Sequence, residues 1–206
     1  MVLKKQSKVV NDKVKPHTVK KFELIEAYVE AWAPKLLNCS KCNGIVFIDC
    51  MCNSGVYHDD SWNEIHGTPI RVAHYLSKIM ANYPKKQARL YFNDFSSEKI
   101  EILKTHLPPN TSNFNIITQS GDGNKMLKLI KMESQIHYLL VYDPYQASID
   151  WAALQPFLCG WSEVIINHMV SDTIRGISQA KGSAAEKYEQ TYLTSIKDLV
   201  TFGKDR

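Results

Sequence analysis

Four aspartates in this chain each follow an apolar run, at intervals that suit a nucleoside site. Asp49 closes Ile45-Val46-Phe47-Ile48, and Asp94 follows Leu90-Tyr91-Phe92-Asn93. Asp122 stands between Gly121 and Gly123 after a third run, and Asp143 opens Asp143-Pro144-Tyr145 after a fourth. A carboxylate just past a buried strand can accept hydrogen bonds from ribose hydroxyls or from an amino group on a base. Asp94 fits the ribose role, and it fits equally as part of the cap of a helix beginning near Ser96. Asp122 fits an adenine amino group, with the glycines giving room for a flat base; a turn and helix cap needs no ligand.

The segment after Asp49, Cys50-Met51-Cys52-Asn53-Ser54-Gly55-Val56-Tyr57, is a small-residue turn. Such a turn brings backbone N–H groups close to a ligand, which makes Asn53, Gly55 and Tyr57 candidate binding residues beside Asp49. The competing reading is a tight turn in which Asp49 is hydrogen-bonded locally. In Asp143-Pro144-Tyr145, proline fixes the backbone so that Asp143 can accept from a planar amino group. Tyr145 can stack on the same substrate, although a proline turn leaving a buried strand accounts for the tripeptide too. With one glycine in the turn after Asp49, the segment is neither a dinucleotide fingerprint nor a phosphate loop. The sequence has no serine elbow and no His-x-x-x-His pair.

Cys39, Cys42, Cys50 and Cys52 form C-x2-C-x7-C-x-C within fourteen residues. Four thiolates can hold zinc, but Cys50 ends an apolar strand and Cys52 lies in the loop after it, so buried or loop thiols are the preferred reading and no metal is expected. The odd total of five cysteines is not a secreted disulfide framework.

The elements that must carry these residues alternate. Residues 18–37 carry Phe22, Ile25, Val29, Trp32 and Leu36 at steps of three and four, a helical stripe with Thr18 as the expected cap. Residues 45–50 read as a buried strand, and residues 51–66 as a long polar segment. Thr68 is the expected cap of a second helix, with Pro69 at its first position. Strands are expected at 88–93, 114–118, 137–142 and 164–167, and helices at 96–107, 125–133 and 151–158. The remainder from Ser171 reads as helical and polar, with His168, Asp172 and Arg175 after the last strand; His168 is read as structural. Alternation of this kind predicts a parallel, doubly wound sheet whose ligands bind beyond the carboxyl ends of its strands.

At 206 residues, with 44% apolar and 22% charged residues, the chain suits one globular domain. No run approaches the roughly 18 apolar residues of a membrane helix. The lysine-bearing N-terminus has no apolar block after it, so no secretory signal is expected and a cytoplasmic location follows. Residues 1–21 hold seven lysines against Asp12, a balance of +6 that leaves −2 for the rest of a chain with net charge +4. Residues 1–16 are therefore expected to be a basic arm, either solvated or contacting nucleic-acid phosphates.

The four acidic stations, with Asp-Pro-aromatic at the fourth, resemble the S-adenosylmethionine-dependent methyltransferases. More specifically, the chain resembles the three-Cys-motif partner proteins, the TcmP family. The residues carrying the likeness begin with His17-Thr18-x-x-Lys21, the Tyr28–Trp32 helix and Asp49…Gly55-x-Tyr57. They continue with Gly67-Thr68-Pro69, Asp143-Pro144-Tyr145 and Glu163-Val164-Ile165-Ile166-Asn167, with Arg175 downstream. The likeness spans roughly residues 15–177.

The resemblance implies a Rossmann-like three-layer α/β sandwich of methyltransferase type, with S-adenosylmethionine bound through Asp49, Asn53, Gly55, Tyr57, Asp94 and Asp122. Asp143, Pro144 and Tyr145 would face an amino-bearing acceptor. It also implies a companion protein that bears the three cysteines; Cys39, Cys42, Cys50 and Cys52 are not that motif. Two features depart from the family: the loop after Asp49 is bulkier than the usual Phe-Ala-Gly-Pro-Gly type, and no strand pair is evident after Asn167. The sheet is thus expected to lack its last two strands, through truncation or shortening. The alternative function is a non-catalytic module of the same fold that binds a partner protein or nucleic acid.

Overall fold

The computed structural model describes residues 13–144, 149–168 and 170–199. The expected site residue Tyr145 lies outside them, as do residues 1–12 of the basic arm.

The chain opens with α1 (Pro16–Leu37) and enters β1 (Gly44–Asp49). A hairpin of β2 (Val56–His58) and β3 (Glu64–His66) precedes α2 (Thr68–Met80). Then come β4 (Gln87–Asp94), α3 (Ser97–Lys104), β5 (Phe114–Ser120) and α4 (Gly123–Leu129). The chain continues through β6 (Ile136–Tyr142), α5 (Trp151–Cys159), β7 (Ser162–Ile166), α6 (Val170–Gln179) and α7 (Ser183–Tyr192).

Five strands form one parallel sheet in the order β5-β4-β1-β6-β7. The chain starts at the middle strand, steps outward to β5, then returns to β6 on the other side. This is the Rossmann-like, doubly wound arrangement expected from the alternation. Its strand order reverses beside β1, which opens a crevice there.

The alternation of side chains along β1 divides the core. Ile45 and Phe47 pack under Ile25, Val29, Trp32, Ile70, Leu76 and Leu103 from α1, α2 and α3. Val46 and Ile48 face the opposite side, with Met126, Leu127, Leu154 and Phe157 from α4 and α5. All six residues of β1 are buried, because a central parallel strand is covered on both faces.

Three local expectations change. α1 is capped by Lys15 without a side-chain bond and has Pro16 in its first turn, so Thr18 lies inside the helix. Proline has no N–H to lose there, and its fixed φ suits the helix. Gly67, not Thr68, occupies the N-cap of α2. The polar segment 51–66 contains the β2–β3 hairpin, whose turn is organised by Asp59 accepting from the N–H groups of Ser61 and Asn63, both at 2.8 Å. The described end of the basic arm is held against this hairpin, since Val14 N–H donates to His58 O at 2.9 Å.

Among the described residues no strand follows β7. α7 instead returns toward the sheet, where Trp151 Nε1–H donates to Thr191 O at 2.9 Å and Tyr192 Oη lies 2.6 Å from His168 Nε2. His168 is thereby tied to α7, in line with its structural reading. No helix of the described residues is long and apolar enough to cross a membrane.

Candidate functional site

Strand register brings the post-strand carboxylates together. Asp49 pairs in register with Phe92 and with Val141, so Asp94 and Asp143 each stand two residues further along the strands flanking it. At about 3.3 Å per residue and 4.8 Å between strands, both backbones lie within roughly 8 Å of Asp49.

A cleft of about 260 Å³ opens over the ends of β1, β4 and β5. Its walls include Met51, Asn93, Asp94, Phe95, Asp122 and Gly123. Asp94 Oδ2 accepts from Asn53 N–H at 3.0 Å and Oδ1 from Ser96 N–H at 2.9 Å, so it ties the turn after β1 to the start of α3. The cap of α3 is Ser96 itself, which accepts from Lys99 N–H. Asp122 caps α4, with Oδ1 accepting from Asn124 N–H at 2.9 Å. Both carboxylates therefore fill the local role and line the cleft as well; an oxygen that accepts one hydrogen bond keeps a second lone pair.

Two glycines shape this cleft. A Cβ on Gly123 would meet Cys50 O at 2.4 Å, so only glycine lets α4 begin against the turn after β1. A Cβ on Gly121 would meet nothing within 4 Å, so this wall is left open. Gly55 has a φ of +69° and Asn53 of +58°, left-handed conformations that turn the chain back toward the hairpin.

A second cleft of about 340 Å³ adjoins the first and shares Met51 and Pro144 with it. It is lined by His17, Thr18 and Lys21 of α1, by Asn53 and Tyr57, and by Asp143 and Asn167. Asp143 is ion-paired with Lys21 and accepts from Asn167 Nδ2–H at 2.6 Å. An acceptor amino group at Asp143 would thus share the carboxylate with Lys21.

Asp49 is not among the residues lining either cleft; it is buried at the end of β1, 4% exposed, next in sequence to Cys50 and Met51 of the first cleft's wall. Its carboxylate accepts from Met51 N–H at 3.3 Å. Burial, reinforced by the charges of Asp143 and Asp94 and opposed by the Met51 N–H and Lys21, pushes its carboxyl up to about 7. Burial also raises the thiols of Cys50 and Cys52, which therefore stay protonated.

The turn after β1 was expected to offer its amides to a ligand, but four of them are bonded within the protein, two inside the segment and two to the end of β4. Met51 N–H goes to Asp49, Cys52 N–H to Asn93 O, Asn53 N–H to Asp94, and Ser54 N–H to the Asn53 side chain. Without the glycines of a conventional loop, the bulkier Cys-Met-Cys-Asn segment is held in shape by these bonds.

Several contributors carry no local signature. Phe95 is 84% exposed on the cleft wall; an apolar ring left in water beside two carboxylates is a ready stacking surface. Asn93 Nδ2–H donates to both Cys50 O and Gly121 O, at 3.1 and 3.0 Å, and so binds the turns after β1 and β5 together. Lys21 carried a helix position and a place in the family likeness, but nothing signalled its partner 122 residues away.

The four clustered cysteines separate into pairs. Cys39 and Cys42 precede β1 and Cys50 and Cys52 follow it, so its six residues hold the pairs about 20 Å apart. Among the described residues no group of three or more His, Cys, Asp or Glu side chains is arranged to hold a metal ion.

No protein-family model matches this chain, and no curated protein does. Nine chains among solved structures match it. One is a loganic acid methyltransferase with SAH, at a TM-score of 0.36 and 13% identity over 60% of this chain. The match covers 33% of that methyltransferase, so this chain spans about a third of its length. Strand order and register define the Rossmann-like architecture.

Proposed function

We propose that this chain binds S-adenosylmethionine across the two adjoining clefts and transfers its methyl group to an amino nitrogen. The observation carrying this reading is the first cleft, where Asp94, Asp122 and the exposed ring of Phe95 meet at the carboxyl ends of adjacent strands. Two carboxylates with spare lone pairs suit the hydroxyl and amino donors of an adenosine. An exposed phenylalanine suits the face of its base, and the open space at Gly121 leaves room for it.

The second cleft takes the remainder of the ligands. Lys21, with His17 and Thr18 beside it, suits a carboxylate, and the oxygens of Asp143 suit an ammonium or an acceptor amine. Bound there, the sulfonium supplies an already activated methyl group, so the protein needs little acid–base machinery. The work of the chain is alignment and exclusion of water. Met51 and Pro144, common to both clefts, form the neck at which donor and acceptor would meet. Asp143, fixed by Lys21 and Asn167, would orient the acceptor nitrogen, with Tyr145 following it in sequence.

This reading aligns the chain with the three-Cys-motif partner family and with a cysteine-bearing companion protein. A second reading, a non-catalytic module that binds a protein or a nucleic acid, is favoured by one feature: the turn after β1 keeps its amides for itself. Thermal unfolding with S-adenosylmethionine and with its demethylated product decides between them, since a ligand that binds the native state raises the melting temperature. The proposal expects a saturable rise with both ligands, lost in Asp94→Ala and reduced in Phe95→Ala. A flat response in the unaltered protein would reject it in favour of the module.

A further inference from the structure

Asp49, Asp94 and Asp143 end or follow three adjacent strands, β1, β4 and β6, so three carboxyl-bearing residues stand side by side, with Asp94 on the wall of the first cleft and Asp143 on that of the second. One lysine, Lys21 from α1, reaches into this group and pairs with Asp143. The other two carboxyl groups are served by neutral donors, Asp94 by two backbone amides and Asp49 by one. The side chains of Asp49's own turn, Cys50 and Cys52, bring no positive charge.

We infer that Asp49 is the charge-selecting residue of this crevice: it gives up a proton when a cationic group enters, so that a sulfonium ligand is favoured over its neutral thioether product. The inference rests on the cofactor reading given above and adds to it a basis for discriminating substrate from product.

A carboxyl with 4% exposure holds its proton to about 7, because ionising it charges a desolvated group beside Asp143 and Asp94, an effect that Lys21 and the Met51 N–H offset only in part. A fixed positive charge at the neck between the clefts reverses that balance. The sulfonium carries one unit of charge beyond the ammonium and carboxylate of the amino-acid part; the thioether lacks it. Methyl transfer removes that charge and leaves Asp49 to regain its proton, which weakens the hold on the product. Asp94 and Asp143 contribute to the same field but are engaged elsewhere, by the amides of Asn53 and Ser96 and by Lys21 and Asn167. Asp49 is thus the group free to change charge.

The test is calorimetric titration of the full chain at pH 6.5 in two buffers of different ionisation enthalpy, which counts protons released on binding. With the carboxyl near 7, S-adenosylmethionine should release about 0.7 proton per site and S-adenosylhomocysteine less than about 0.2. Asp49→Asn should abolish the release with S-adenosylmethionine and shrink the preference for it over S-adenosylhomocysteine by about tenfold. Equal proton release with the two ligands, or release unchanged in Asp49→Asn, would overturn the inference while leaving the cofactor reading intact. Failure of either ligand to bind the unaltered chain would instead overturn the cofactor reading, and the inference with it.

Discussion

Replacing Asp49 by asparagine should flatten the pH dependence of folding stability in the ligand-free protein. In the unfolded chain an aspartate ionises near 3.8, whereas Asp49 in the fold holds its proton to about 7. Unfolding between those values releases a proton, so the stabilising contribution of this group is complete below about 3.8. It declines as pH rises and is gone above about 7. At 1.36 kcal/mol for each tenfold step in proton affinity, the whole difference amounts to about 4 kcal/mol, of which roughly 3 kcal/mol is lost between pH 5 and 8.5. Asparagine keeps the shape of the protonated acid and cannot ionise. Other titrating groups, such as His137, whose basicity is lowered by burial, are common to both proteins and cancel in the comparison. Urea unfolding followed by circular dichroism at pH 5, 6, 7 and 8.5 measures the effect. The stability of the unaltered protein relative to Asp49→Asn should fall by roughly 3 kcal/mol from the first pH to the last. A difference constant to within about 0.5 kcal/mol across this range would mean that Asp49 is ionised throughout, and the burial argument would fail.

Three further substitutions probe the architecture around the clefts. Gly123→Ala sets a methyl group 2.4 Å from Cys50 O and should cost about 1–3 kcal/mol by forcing α4 away from the turn after β1, read as a lowered urea midpoint. Asn93→Asp turns a carboxylate oxygen toward the carbonyls of Cys50 and Gly121 in place of an N–H donor; it should lower the melting temperature more than Asn93→Ala, and equal losses would deny the bridging role. Asp143→Ala should abolish methyl transfer to an amine acceptor while the melting-temperature rise with S-adenosylmethionine persists, and undiminished turnover would remove Asp143 from the acceptor site.

The sheet was legible because its strands are buried on both faces, and burial of that kind writes continuous apolar runs such as Ile45-Val46-Phe47-Ile48. Positions just past such runs were legible for the same reason, and the register then fixes Asp49, Asp94 and Asp143 as neighbours. The hairpin was not, because strands of three residues are too short to show an alternation and one of them, β3, has a single apolar residue, Ile65. The pairing of Lys21 with Asp143 is set by where α1 crosses the sheet, a tertiary fact that no local pattern encodes. Exposure is equally invisible: Phe92 and Phe95 are the same residue type three positions apart, one fully buried on β4 and the other standing in the cleft. The crowded cysteines show the opposite relation, since nearness in sequence across a strand is distance in space.

Hydrogen exchange of the full chain, followed by mass spectrometry with and without saturating S-adenosylmethionine, reports whether a nucleoside occupies the first cleft. Exchange should slow in the peptides carrying residues 50–55, 93–96 and 121–124, which include the wall of the first cleft, with little change in α3 beyond its first turn or in α5. Protection confined to the hairpin, or no protection at all, would contradict a nucleoside held by Asp94, Phe95 and Asp122.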